Sequence, residues 1–183
     1  MDLRSIALGL DHFMRSGPGL IPGLICLAIV AVPLTLLHEW GHAVAARRLL
    51  GGSVQISVGN AGRVAQLRLG QITATINALG SPARLAGYVE FEASRARARD
   101  VLLVALCGPL ASLLGFVLVI PFYSAATPGT VGHALLWAAV LWSAGGVLLN
   151  LIPFNFQERR GGPTRRTDGA MALDAAKVIW QLR

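Results

Sequence analysis

Charged residues are scarce in this sequence. They make up 14% of its 183 residues, whereas soluble domains carry about 25%. Hydrophobic residues make up 54%, and the mean hydropathy is +0.60. Neither a disordered chain nor an ordinary water-soluble domain has this composition. The sequence therefore predicts a membrane protein, and its length allows a single domain.

Cysteine is rare as well. Cys26 and Cys107 are the two cysteines, and each lies in an apolar run. So small a number excludes a disulfide framework and a zinc site built from cysteines. We interpret both residues as small buried hydrophobic side chains.

Two long stretches, residues 16–37 and 101–157, contain no charged residue. A helix crosses the hydrocarbon core of a bilayer with about 20 apolar residues. The first stretch predicts a span at about 19–37, with the helix continuing to about Leu50. The second predicts spans at about 101–121 and 132–151, because turn-forming residues lie between them. A cleavable signal peptide, the alternative for the first stretch, is disfavoured because no compact basic segment precedes it.

Arginines account for most of the formal net charge of +7, and they lie mainly between the first two predicted spans and after the third. The positive-inside rule places these segments in the cytosol and the N-terminus outside. We interpret the basic segment 94–100 as an anchor for lipid headgroups rather than a nucleic-acid patch. The expected protein crosses the cell membrane several times and has the lipid bilayer, not nucleic acid, as a partner.

Apolar and polar residues alternate in the segment between the first two spans, at 54–58, 65–69 and 72–76. This period predicts strands, and Gly70-Gln71 lies where a hairpin turn is expected. We therefore expect a small cytosolic antiparallel β insertion at about 53–91. Residues 168–182 predict a short interfacial helix, too charged for a fourth span, and the arginine-rich segment before them predicts an exposed loop. The expected fold class is mainly α and integral to the membrane, with three transmembrane helices.

The sequence His38-Glu39-Trp40-Gly41-His42 ends the first predicted span. Histidines four residues apart face the same side of a helix, and two neutral imidazoles are typical ligands of zinc. A catalytic zinc site also needs a third protein ligand and a water, which Glu39 would activate as a general base. Gly41 is expected to leave room beside the metal. The alternative, a polar cluster that caps the helix, is disfavoured because ionisable groups so close to an apolar span are costly.

The third ligand is expected on the same side of the membrane, which excludes His12 and His133. The acidic residues that remain are Glu158, Asp168 and Asp174. Asp168 opens the predicted C-terminal helix, where a carboxylate serves equally well as an N-cap. Both roles stay open from the residues alone.

Other residues of the spans have mainly structural interpretations. Gly108-Pro109 and Gly145-Gly146 are expected to allow close helix packing. Pro33 removes one backbone donor and is expected to kink the first helix. Asn150, at the cytosolic end of the third span, is either a helix cap or a hydrogen-bonding group of the site.

Three further stretches accompany the histidine motif and Asp168-Gly169: SPARLAGYVEF at 81–91, GPLAS at 108–112 and NLIP at 150–153. Together, from about residue 20 to 173, they resemble the site-2 protease family of intramembrane zinc metalloproteases. The three stretches are similar to its Pro-x-Gly-Gly-Tyr/Phe-Val, Gly-Pro-x-x-Asn and Asn-Leu-x-Pro segments. The sequence departs from these patterns at Ala86, Ser112 and Thr167, and its interval from Pro153 to Asp168 is longer than usual.

The resemblance implies a zinc ion (Zn²⁺) held by His38, His42 and Asp168, with Glu39 activating water. It implies a three-helix core with the active site near the cytosolic face of the inner membrane, and it makes Ser112 a candidate for binding substrate together with Asn150. The strands at 54–76 would offer an edge to an unwound segment of a membrane-associated protein substrate. The alternatives are a zinc-binding membrane protein without protease activity and a metal-free membrane adaptor that works through the sheet.

Overall fold

Three long helices dominate the computed structural model, which describes residues 11, 15–59, 61–78, 87–92, 96–157 and 164–182. They are α1 (Leu20–Leu49), α2 (Ala98–Ala125) and α3 (Val131–Leu151). All three are long and apolar enough to cross a membrane. Each contains one of the predicted spans almost completely, and α1 continues past its span to Leu49 as expected.

The starts of α2 and α3 are fixed by local hydrogen bonds. At the start of α2 the backbone N–H of Arg97 donates to the carboxylate of Asp100 over 3.2 Å. At the start of α3 the hydroxyl of Thr130 accepts from the backbone N–H of His133 over 3.2 Å. The turn between the two helices contains Gly129 at a φ of 83°, as the turn-forming residues predicted.

The first two helices approach each other most closely at Gly41. A Cβ at this position would overlap the backbone carbonyl of Cys107 and lie 2.8 Å from the Cβ of Ala111. The expectation that Gly41 leaves room beside a metal is therefore wrong. Gly41 faces α2, because a residue without a side chain lets the two helix backbones come into contact.

A four-stranded sheet follows α1 along the chain. Its strands are β1 (Val54–Val58), β2 (Arg63–Leu69), β3 (Ile72–Asn77) and β4 (Gly87–Phe91), in the order β2-β3-β1-β4. The predicted hairpin joins β2 to β3 and turns at Gly70, which has a φ of 61°. Residues 79–86, part of the expected insertion, lie outside the described residues.

One strand pairing differs from the expected antiparallel sheet. β1 pairs in parallel with β3, with Val54 opposite Ile72, whereas the β1–β4 and β2–β3 pairs are antiparallel. Ile72 and Ala74 of β3 are buried, but β2 is exposed along its whole length. β3 lies beside the core strand β1 because this position buries the apolar face of β3. β2, which has no buried face, lies at the outer edge of the sheet.

The inner face of the sheet forms one hydrophobic core with the ends of α1 and α2. Val54, Ile56 and Val58 are almost fully buried and pack with Ala46 of α1 and Val104 of α2. This core fixes the sheet at the end of the bundle where α1 finishes and α2 begins. The turn between α2 and α3 lies at the opposite end, where the hydroxyls of Ser16 and Tyr123 are hydrogen-bonded over 2.8 Å.

The chain after α3 contains two short strands and a final helix. β5 (Asn155–Gln157) and β6 (Thr164–Arg166) pair in antiparallel fashion, and α4 (Asp168–Gln181) packs against α2. The predicted C-terminal helix is confirmed. The segment expected as an exposed loop instead has two paired ends, while residues 158–163 between them lie outside the described residues.

Candidate metal centre

Two histidines and one aspartate form a buried cluster where α1, α2, α3 and α4 meet. His38 and His42 lie one turn apart on α1, and Asp168 is the first residue of α4. The Nε2 atoms of the histidines are 3.2 Å apart; the Asp168 carboxylate has one oxygen 3.0 Å from His38 Nε2 and the other 3.2 Å from His42 Nε2. The three side chains form a group that could hold a metal ion.

The spacing and chemistry of these atoms suit a small tetrahedral cation. Ligands at about 2.0–2.1 Å from a tetrahedral zinc ion lie about 3.3 Å from each other. The distances of 3.0–3.2 Å within the cluster are close to that value. Two imidazole nitrogens and a carboxylate oxygen would supply the three protein ligands that a catalytic zinc site needs.

Hydrogen bonds at the far side of each ring orient the two imidazoles. His42 Nδ1 donates to the backbone carbonyl oxygen of Val104 over 2.7 Å. His38 Nδ1 lies 2.8 Å from the hydroxyl of Ser112 on α2. When a metal ion binds, a ring protonated at Nδ1 alone offers it the Nε2 lone pair, and hydrogen bonds of this kind at the far nitrogen are usual for histidine ligands of metals.

Asp168 reaches the cluster because the preceding residue, Thr167, caps α4. The Thr167 hydroxyl accepts from the backbone N–H of Ala170 over 3.3 Å and donates to the carbonyl of Ile152 over 2.7 Å. Thr167, not Asp168, is therefore the N-cap, and the interpretation of Asp168 as the cap is wrong. The cap connects the end of α3 to the start of α4 and leaves the Asp168 carboxylate free to face the histidines.

The environment of Asp168 lowers the pKa of its carboxyl group. Burial alone raises its pKa, but hydrogen bonds with His38 and His42 and the charge of these residues lower it, and the net pKa lies below its ordinary value. The charged form is the one that binds a metal ion.

Glu39 lies beside the cluster and is 7% exposed. A Cβ at Gly87, the first residue of β4, would overlap the Glu39 carboxylate. The edge of the sheet thus approaches this carboxylate through a residue without a side chain. The candidate general base Glu39 therefore lies between the candidate metal ligands and the backbone of β4.

Two more glycines make room for side chains of the site, Gly108 for His42 and Gly146 for Ser112. A Cβ at Gly108 on α2 would overlap the His42 ring, and one at Gly146 on α3 would lie 2.7 Å from the Ser112 hydroxyl. The sequence predicted both glycines as helix-packing residues. It carried no signal of which side chains they would contact, because that depends on how the helices rotate against each other.

The remaining candidates lie elsewhere or play other parts. Asp174 is ion-paired with Arg166 and lies 3.7 Å from the Lys177 ammonium, so it does not join the cluster. His133 is buried near the opposite end of the bundle, beside the Tyr123 ring. Asn150 donates to the carbonyl of Gly146 over 3.0 Å. His12 and Glu158 lie outside the described residues.

Two cavities meet at the cluster. The sheet-side cavity, of about 540 Å³, is lined by β4, α2 and the start of α4. The helix-side cavity, of about 490 Å³, lies between α1 and α3. His38, Glu39, Gly87 and Asn150 line both of them. Glu39 therefore lies where the two cavities adjoin.

Comparison with known proteins adds no assignment, since neither a protein-family model nor a curated protein sequence matches this chain. The arrangement itself could hold a metal ion beside the buried Glu39 carboxylate. A metal ion and a neighbouring carboxylate are elements of metal-assisted hydrolysis.

Proposed function

We propose that this protein is an intramembrane zinc endopeptidase that cleaves membrane-associated polypeptides near the cytosolic face of the cell membrane. One observation carries the proposal: a buried His38-His42-Asp168 cluster lies with Glu39 at one end of three helices long enough to span a membrane. The order of the motifs along the chain, which resembles that of the site-2 protease family, supports the same conclusion.

Zinc is the proposed metal because of the donor set. Two imidazoles and one carboxylate are a ligand set typical of zinc hydrolases. When bound, the ion polarises the carbonyl of the peptide bond to be cut and makes a bound water more acidic. His38, His42 and Asp168 would hold the ion, while Ser112 and Val104 orient the two rings through hydrogen bonds at Nδ1.

Glu39 is the proposed general base. Its carboxylate takes a proton from the attacking water and passes it to the nitrogen of the departing amine. Its position on α1 between the two ligands and its burial against Gly87 keep it beside the reacting atoms. The junction of the two cavities gives water access to this carboxylate at a depth where lipid would exclude it.

β4 is the proposed platform for the substrate backbone. β2 and β4 are the edge strands of the four-stranded sheet, and β4 lines the sheet-side cavity together with Glu39. β1 and β3 are interior strands, so the edge expected at 54–76 would be β2, which is remote from β4 in the sheet. An unwound substrate segment that pairs with β4 would lie along the sheet-side cavity, with its backbone carbonyls close to His38, His42 and Asp168.

The deciding experiment compares wild type with Glu39→Gln and Asp168→Asn. Each protein is purified in mild detergent, its zinc content is measured, and it is incubated with single-span membrane reporter proteins. We expect about one zinc ion per wild-type chain and a cleaved reporter. Glu39→Gln should keep the zinc and lose cleavage by a factor of at least about 10², while Asp168→Asn should lose both.

Other outcomes have definite meanings. Zinc without cleavage in the wild type would favour a zinc-binding membrane protein that is not a protease. Cleavage that survives Glu39→Gln would show that the base is another residue. If the wild-type protein binds no zinc after reconstitution, the remaining interpretation is a membrane adaptor that uses no metal.

A further inference from the structure

We propose that the helix-side cavity is a specificity pocket for one large apolar side chain of the substrate, and that Gly145 sets its size. The inference rests on the proposed function and extends it, because it identifies the chemical class of residue beside the bond that is cut. It follows from the residues that line this cavity, from its position beside the metal centre and from the free space next to Gly145.

The wall of the cavity is largely aliphatic and aromatic. α1 contributes Leu27 and Leu34, and α3 contributes Leu141, Trp142 and Leu149. Leu149 is 63% exposed, so the cavity reaches the outer surface of the bundle. In a membrane-spanning protein this surface faces lipid, from which an apolar segment of a substrate would come.

The polar groups of the wall already have partners. The Trp142 indole N–H donates to the Thr35 hydroxyl over 3.2 Å, and the Asn150 amide donates to the carbonyl of Gly146. The Ser112 hydroxyl is hydrogen-bonded to His38 Nδ1. A polar substrate side chain would lose its hydrogen bonds to water on entering, whereas an apolar one gains burial.

The pocket is continuous with the candidate metal centre. His38 and Glu39 form its inner end. A side chain that fills the pocket therefore belongs to a residue next to the carbonyl that Glu39 and the metal ligands surround. The volume of about 490 Å³ lies within the range of pockets that bind small ligands, about 300–1,000 Å³.

Gly145 is a position in the wall where a side chain could be added without a clash. The nearest atom to a Cβ placed there is Leu149 Cδ1, at 4.0 Å, so a small side chain has space and reduces the pocket. The neighbouring Gly146 differs, because its Cβ would press on the Ser112 hydroxyl. Gly145 is thus the position at which pocket size changes while the histidines stay in place.

The test uses the full-length protein in detergent and two peptide hydroxamates, which bind zinc through the hydroxamate group. They differ only in the side chain next to that group, a benzyl or a methyl. We expect wild type to bind the benzyl compound at least tenfold more tightly, and Gly145→Val to lose that preference while binding the methyl compound unchanged. A tenfold change is within the range for a few methylene groups in an apolar pocket.

Gly132→Val is the matched control. Gly132 lies in the first turn of α3 and is exposed, and a Cβ at this position would have no neighbouring atom closer than 4.0 Å. This variant should keep the wild-type preference. If Gly145→Val does not fold, Leu141→Ala gives the opposite test, since a larger pocket should favour a naphthyl over a benzyl compound.

The possible results distinguish a failure of the specificity pocket from a failure of the proposed endopeptidase function. Equal binding of the benzyl and methyl compounds by wild type overturns the pocket and leaves the metal centre intact. A benzyl preference that Gly145→Val does not change overturns the role of Gly145. If wild type neither binds a hydroxamate nor cleaves a reporter, the endopeptidase proposal is wrong and the specificity pocket with it.

Discussion

His42 donates its Nδ1 hydrogen to the backbone carbonyl of Val104, 2.7 Å away on the neighbouring helix. A backbone carbonyl only accepts, so this bond requires a proton on Nδ1, and it turns Nε2 towards Asp168. Val104 is itself buried in the core beneath the sheet. The orientation of a candidate ligand therefore depends on the same packing that holds the sheet to the helices.

Ser112→Ala should weaken metal binding. The substitution removes the hydroxyl 2.8 Å from His38 Nδ1, and the loss of such an outer bond costs about 10–100-fold in metal affinity or activity. Zinc affinity measured by competition with a chelator checks this. Ser143→Ala, which also removes a buried hydroxyl from a long helix, serves as the control, and an equal loss in both variants would refute a specific role for Ser112.

Gly108→Ala should remove the metal while most of the fold persists. The new methyl group overlaps the His42 ring, so the imidazole must turn away from Asp168. We expect a large fall in zinc content, with a circular dichroism spectrum that stays helical. Gly132→Ala, in open space, should bind zinc like wild type; retention of zinc by Gly108→Ala would contradict the observed contact.

Gly41→Ala should lower the stability of the helix bundle. Its methyl group would meet the Cys107 carbonyl and the Ala111 side chain, and overpacking of this kind costs about 1–3 kcal/mol. Unfolding by a denaturing detergent, monitored by circular dichroism, measures the change against Gly132→Ala. Unchanged stability would mean that α1 and α2 can separate at no cost.

Thr167→Ala should affect both the last helix and the metal centre. Loss of an N-cap costs about 0.5–2 kcal/mol, and the bonds of Thr167 to Ile152 and Phe154 disappear with it. We expect lower stability together with weaker zinc binding, because Asp168 follows directly. Thr167→Ser keeps the hydroxyl and should restore both properties; a failure to do so would point to the methyl group instead.

Local patterns were enough to predict the helices and part of the site. The uncharged stretches predicted the three long helices, and the four-residue spacing of His38 and His42 predicted that both face one side of α1. The hairpin at Gly70 followed from period-two alternation and a turn residue. All of these depend on residues close together in the sequence.

Long-range features could not be predicted in the same way. The parallel pairing of β1 with β3 depends on which strand buries its face, and alternation alone does not order strands in a sheet. Whether Asp168 caps a helix or faces the histidines depends on Thr167 and on the end of α3. The contacts of Gly41 and Gly108 depend on helix rotation, which the weakly amphipathic apolar spans do not encode in their pattern.

The separation of the proposed ligands along the chain has a consequence for biosynthesis. Asp168 follows His38 by 130 residues, and all three long helices precede α4. A ribosome must therefore synthesise all three long helices before the third proposed ligand exists. The nascent chain has no complete ligand set until α4 begins, so the proposed metal capture would follow synthesis of Asp168.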